Sequence, residues 1–142
     1  MYSSLYDFNT ITLRYFNVYG EREPIRGKYA PVIGLFKRQV AEGKPMTIVG
    51  DGEQRRDFTY IADIVDANLR ASAINLDDSK ILNVGTGINY SINEIANMIG
   101  GKKSYIDTRP AEVKETLADI KETKELLGWR PMYELEKMIN SY

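Results

Sequence analysis

Apolar runs alternate along the chain with polar breaks rich in glycine and proline, and the pattern predicts short strands interleaved with amphipathic helices. Thr10–Leu13 is a β-branched and apolar run of strand character, with Arg14, Tyr15, Phe16 and Asn17 at its carboxyl end and Gly20 closing the turn. Tyr2–Phe8, upstream, has the mixed aromatic character of the last turns of a helix. Glu21–Tyr29 carries Pro24 and Gly27 and is expected to be a polar loop. From Pro31, a residue suited to a first helical turn, Val32, Ile33, Leu35, Phe36 and Val40 recur at helical spacing. Gly43 and Pro45 stop that helix. Met46–Val49 is a short predicted strand, and Gly50-Asp51-Gly52 a tight turn.

The second half continues the alternation. The charged run Glu53–Asp57 is expected to be a solvated loop, followed by a short strand within Phe58–Ile61. From Asp63 a helix is predicted, with Ile64, Val65, Ala67, Leu69, Ala71 and Ile74 on its apolar face. Leu76–Ser79 is a loop, and Ile81–Val84 a strand closed by Gly85-Thr86-Gly87. Ser91 and Glu94 have the spacing of a capping box opening a helix over Ile92–Ile99, which Gly100-Gly101 ends. Lys103–Asp107 reads as an edge strand and Arg109–Glu112 as a loop. Asp119 is the expected cap of a helix through Leu127 that Gly128 ends, and Tyr133–Ile139 forms a final helix after Trp129-Arg130-Pro131.

Composition narrows the chemistry. At 142 residues the chain is one domain long, with an ordinary apolar fraction and a net charge of −1. A near-neutral charge argues against nucleic acid or a membrane surface as an electrostatic partner. There is no Cys and no His. Disulfides, thiolate metal sites and the commonest general base are therefore excluded. Carboxylates are plentiful, but none sits in a metal-ligand pattern. No apolar run reaches transmembrane length and Met1–Ser4 does not begin a signal peptide, so a cytoplasmic location is expected. The Gly85-Thr86-Gly87 sequence lacks the third glycine and the downstream acidic residue of a dinucleotide fingerprint, which argues against that function for it. Ligands of open α/β sheets gather at carboxyl strand ends, where Tyr15 and Phe16 offer stacking area and Asn17 a hydrogen-bonding amide.

Four ordered stretches carry a resemblance that covers nearly the whole chain: Leu13–Gly20 (LRYFNVYG), Gly50–Ala67 (GDGEQRRDFTYIADIVDA), Ile81–Ala96 (ILNVGTGINYSINEIA) and Arg109–Pro131 (RPAEVKETLADIKETKELLGWRP). They resemble the extended short-chain dehydrogenases/reductases that act on nucleotide sugars, most of all the UDP-hexose 4-epimerases, with UDP-glucuronate epimerases and dTDP-glucose dehydratases as near neighbours. The resemblance implies an α/β fold: an incomplete Rossmann-like arrangement of two late parallel strands plus the small mixed substrate-binding domain, residues 1–142 forming one carboxyl-terminal portion. The parent reaction would be hydride transfer from the sugar to NAD and back. The Tyr-x-x-x-Lys pair of that chemistry is not present, since Tyr2 is followed four residues later by Tyr6, so no catalytic residue and no NAD binding are expected in this chain alone. Arg56 and Arg109 match diphosphate-binding arginines, Asn17 a diphosphate-bonding amide, and Glu112 an acceptor from the uridine ribose. Pro31, Val32, Thr47, Ile48 and Val49 match positions whose backbone meets the base, and Phe16 an aromatic beside the nicotinamide. Phe58 stands where many members have Tyr, putting a phenol hydrogen bond to the ligand in doubt. The expected ligand is a UDP-sugar. The expected macromolecular partner is a second copy or the missing amino-terminal half, because Thr10–Leu13 and Ile81–Val84 are strands of interior character. A non-catalytic nucleotide-sugar-binding module and a 4,6-dehydratase parent are the alternatives.

Overall fold

The computed structural model describes residues 5–6, 8–27, 30–108 and 112–142. The chain folds as β1 (Ile11–Tyr15), β2 (Val18–Tyr19), α1 (Val32–Ala41), β3 (Met46–Val49), β4 (Arg55–Asp57), β5 (Thr59–Tyr60), α2 (Ile61–Ala73), β6 (Lys80–Val84), β7 (Asn89–Ser91), α3 (Ile92–Ile99), β8 (Lys103–Ile106), α4 (Lys121–Leu127) and α5 (Leu135–Met138). It is a mixed α/β fold in which β1 pairs with β6, β2 with β5 and β3 with β8, all parallel, while β4 and β7 run antiparallel. Pairs brought together from distant parts of the chain need helical crossovers, which is why parallel strands and helices alternate here.

Two apolar cores result. One joins Ile33 and Phe36 of α1, Met46 and Ile48 of β3, Ile95 and Ala96 of α3, and Leu135 and Ile139 around α5. The other packs Ile64 and Ala67 of α2 and Leu127 and Trp129 after α4 against Leu82 and Val84 of β6. Asp63 ties the α2 side together: its carboxylate accepts from the Met132 and Tyr133 amides at 2.9 and 3.2 Å, and its carbonyl from the Trp129 indole at 3.1 Å. Burial pushes this carboxyl above its ordinary range, while the two amides pull it back.

Several sequence-based expectations change. The charged run is no solvated loop, because Arg55–Asp57 is a strand and Asp57 is fully buried. Arg55, Arg56 and Asp57 meet specific partners, while Glu53 remains exposed. The predicted apolar face of α2 splits, since Ile64 and Ala67 are buried while Val65 and Leu69 are 50% and 64% exposed on the other side. Val40 likewise lies at the rim of α1, 38% exposed. Asp119 does accept the Lys121 amide at 3.0 Å, but α4 begins after Ile120. The last helix is confined to Leu135–Met138. The Ser91–Glu94 capping box is present in both directions, and β3 has the bounds expected.

Candidate functional site

Alternation along two strands builds the site. Side chains of an extended segment point to opposite faces in turn. Gln54, Arg56 and Phe58 therefore face one way, and all three line a cavity of about 410 Å³. Arg55 and Asp57 face the other way. On β3, Thr47 and Val49 line the same cavity while Met46 and Ile48 are fully buried in the core. Asn17, Val18 and Tyr19 close one side, Ile92 and Glu112 contribute, and the start of α1 supplies Pro31, Val32, Ile33 and Leu35. The positive end of that helix thus lies in the cavity wall, where it favours an anion. The volume is within the range of small-molecule sites. A second cavity of about 550 Å³ shares Val49, Gln54 and Glu112 with it and extends past Gly50, Asp51 and Thr108. The turn between β3 and β4 needs its glycine: at Gly52 (φ +78°) a Cβ would lie 2.8 Å from Ile48 Cγ2.

The side of β4 away from the cavity holds the strand in place. Arg55 donates to the Asn89 side chain and carbonyl, each at 2.8 Å, and pairs with Glu94 at 3.1 Å. Its backbone bonds Lys114 and Thr116, laying the 114–116 segment along the strand. The Asp57 carboxylate accepts the Thr86 amide at 2.8 Å, the Thr86 hydroxyl at 2.7 Å, the Gly87 amide at 2.9 Å and the Ala118 amide at 3.1 Å. Successive amides of a glycine-rich turn form an anion cradle. In this chain an internal carboxylate fills it. That gives the physical reason the Gly-x-Gly sequence is no dinucleotide site, and the described residues do not fit the phosphates of NAD there.

Polar groups on the cavity side are few. Arg56 Nη2 meets Glu112 Oε1 at 2.7 Å, and Nη1 donates to the Arg55 carbonyl at 2.8 Å. Asn17 adopts a left-handed backbone (φ 28°), tolerated by Asn, and its amide donates to the Asp57 carbonyl at 2.7 Å. Gln39, almost fully buried, clamps Thr47 by donating to its hydroxyl at 2.7 Å and accepting its amide at 3.0 Å. Gln54 donates to the Val49 carbonyl at 3.0 Å. Beneath the cavity, Tyr19 stacks at a tilt on Tyr60 and Tyr142, its phenol pushed up by burial and then by Asp63. The Tyr60 hydroxyl donates to both Glu21 oxygens at 2.8 Å, which raises Tyr60 to about 12 and lowers Glu21. Burial raises Glu23, whose Oε1 accepts from the Tyr142 hydroxyl at 2.9 Å, and lowers Lys37, which lies over the Tyr142 ring.

Of the residues singled out in the sequence, Asn17, Pro31, Val32, Thr47, Val49, Arg56, Phe58 and Glu112 come together around this cavity. Ile48 does not. Its side chain is in the core, and its backbone shares the parity of Met46 and Gly50, whose amides bond β8. Phe16 also stays out, packing against the core beneath β1 and β6. Arg109 lies outside the described residues. Gln54 was missed; two-residue alternation would have found it had the charged run been taken as a strand.

The profile of the NAD dependent epimerase/dehydratase family matches residues 1–85. The chain is 38% identical to a UDP-glucuronate 4-epimerase of Thermodesulfobacterium geofontis over 96% of its own length and 42% of that protein's. It is 31% identical to a UDP-glucose 4-epimerase of Mycolicibacterium smegmatis over 98% of its length and 46% of the relative's. Among solved structures it resembles the UDP-glucose 4-epimerase of Thermotoga maritima with UDP-glucose (TM-score 0.90, 31% identity, 97% of this chain, 46% of that one). It also resembles the UDP-glucuronic acid 4-epimerase of Bacillus cereus in complex with UDP-glucuronic acid and NAD (TM-score 0.88, 31% identity, 97% and 45%). The chain spans less than half the length of these relatives.

Proposed function

Because this chain belongs to the NAD dependent epimerase/dehydratase family, we propose that it is the nucleotide-sugar-binding part of a UDP-hexose 4-epimerase working in the cytoplasm. The observation that carries this reading is the single file of Gln54, Arg56 and Phe58 in one cavity with Asn17 and the start of α1. Arg56 offers the planar fork that pairs with phosphate oxygens, beside the amide of Asn17 and the positive end of a helix. Glu112 pairs with Arg56 at the cavity rim and would accept ribose hydroxyls. Pro31, Val32, Val49 and Phe58 would supply apolar walls for a planar base, and the Thr47 carbonyl and Val49 amide its hydrogen bonds, since the Thr47 amide and Val49 carbonyl are taken by Gln39 and Gln54. NAD would be held by residues beyond this chain, and this chain alone would not epimerise UDP-galactose.

Calorimetric titration tests the reading. UDP and UDP-hexoses are expected to bind and NAD is not. Arg56→Ala should weaken UDP binding about ten-fold or more, the scale of a lost charge-assisted contact, whereas exposed Arg130→Ala should leave it unchanged. Arg56→Lys should recover part of the loss, since Lys keeps the charge without the fork. Equal effects at both positions would reduce the site to diffuse attraction. Turnover of UDP-galactose by the purified chain would overturn the division of labour.

A further inference from the structure

The sheet of β3 and β8 ends in an open edge on its β8 side. Amides of Met46 and Gly50 bond the Lys102 and Ile106 carbonyls, each at 2.8 Å. A trans peptide sets each N–H opposite the C=O before it, so the amides of Lys103 and Asp107 point away from β3. Tyr105, of the same parity, turns its backbone groups outward as well. No second strand meets β8 among the described residues. The side chains are open too, Tyr105 being 53% and Ile106 41% exposed. Asn93 and Asn97 of α3 hold Tyr105 and Lys103 on one face of the strand, accepting from the phenol at 3.1 Å and from the ammonium. Asp107 is exposed and has no hydrogen-bond or ion partner among the described residues.

We propose that this edge pairs with the same edge of a second copy, antiparallel about a two-fold axis at Tyr105, joining the two sheets into one. The segment Lys103-Ser104-Tyr105-Ile106-Asp107 is its own complement in that register. Lys103 faces Asp107 of the second copy, Asp107 faces its Lys103, and the axis sets Tyr105 against Tyr105. All three positions carry outward backbone groups, so they fall on the hydrogen-bonded pairs of an antiparallel ladder. Ser104 meets Ile106 at the closer, non-hydrogen-bonded position and covers its exposed side chain. An axis at Lys103 would set ammonium against ammonium, and one at Asp107 carboxylate against carboxylate. Charge thus selects the register as well as the partner. An isologous contact of this kind closes on itself and leaves no β8 edge to recruit a third copy. So short a ladder buries less than a permanent interface does, and a reversible dimer is expected. No residue of β8 lines the cavity of the proposed site, and the open edges of β1 and β6 belong to another sheet.

The experiment is oxidative cross-linking of the full chain, which has no Cys of its own. Tyr105→Cys places one thiol on the axis, where facing Cα atoms of a hydrogen-bonded pair lie about 5.5 Å apart, within disulfide reach. At low micromolar concentration this variant is expected to give a covalent dimer on a denaturing gel run without reductant. In that background Lys103→Glu and Asp107→Lys should each slow cross-linking roughly ten-fold, because each turns both symmetry-related ion pairs into like-charge pairs. Combining the two substitutions in one chain, or mixing the two single variants in equal amounts, should restore the dimer. That recovery also shows that the charge variants are folded. Ile81→Cys, whose thiol lies beside the open β1 and β6 edges, reports association through that other face. Cross-linking at Tyr105→Cys that ignores the charge changes, or that fails to recover in the combined and mixed samples, overturns the proposal. So does a Tyr105→Cys chain that stays monomeric, whether or not Ile81→Cys cross-links.

Discussion

Replacing Asp57 by Ala should cost about 2–4 kcal/mol of stability, and the structure shows why. The carboxylate is wholly buried and accepts three backbone amides and one hydroxyl from segments 29 to 61 residues away in sequence. The hydroxyl of Thr86 has a second acceptor in the Ile88 carbonyl at 2.9 Å, so its loss is small. The Ala118 amide is buried, and leaving it unpaired costs about 1–3 kcal/mol. Amides of Thr86 and Gly87 lie nearer water and should contribute roughly 0.5–1.5 kcal/mol each, part of which water entering the gap restores. Asp57→Asn should fall only slightly short of Ala, because its NH2 must face one of the amides. Urea unfolding followed by circular dichroism measures the difference, with Thr86→Val as a reference of about 0.5–1.5 kcal/mol. A loss below about 0.5 kcal/mol for Asp57→Ala would show that the Gly85–Gly87 turn and the 114–118 segment hold β4 without the carboxylate, and the account of the filled cradle would fail.

Other expectations follow from particular contacts. Ser91→Ala should cost about 1 kcal/mol in the same assay, since Ser91 Oγ accepts the Glu94 amide at 3.1 Å and Glu94 returns the bond at 2.6 Å; an unchanged midpoint would deny the capping box any part in stability. Glu23→Gln should stabilise the chain at pH 7 but not at pH 4. Burial raises the folded carboxyl above its ordinary value near 4.5, so both states are protonated in acid and the penalty on the charge grows as pH rises through the raised value. A gain that persists undiminished at pH 4 would locate the effect elsewhere. The outer edges of β1 and β6 have no strand partner among the described residues, and Ile81, Val65 and Leu69 are exposed beside them. Self-association into a dimer or larger species is therefore expected by light scattering at low micromolar concentration, and a cooperative monomer would contradict it.

Local chemistry was enough to place most elements. Met46–Val49 is apolar between a proline break and a Gly-x-Gly turn, Ser91 and Glu94 satisfy each other's amides, and Gly128 takes the left-handed conformation that ends α4 (φ 58°). Such signals act within a few residues, so the sequence by itself carries them. The family likewise shows in short motifs, and four of the eight candidate residues that line the cavity, Asn17, Arg56, Phe58 and Glu112, lie within them. Tertiary structure decided what a residue's neighbours are. Glu53–Asp57 looks solvated because charge in isolation favours water, yet β4 exists because Asn89 and Glu94 receive Arg55 while the Gly85–Gly87 turn receives Asp57. Once the run is a strand, its period of two turns Gln54 toward Arg56 and Phe58, and the parity of β3 turns Ile48 away. The face of a strand depends on which partner it pairs with, and that partner lies dozens of residues distant.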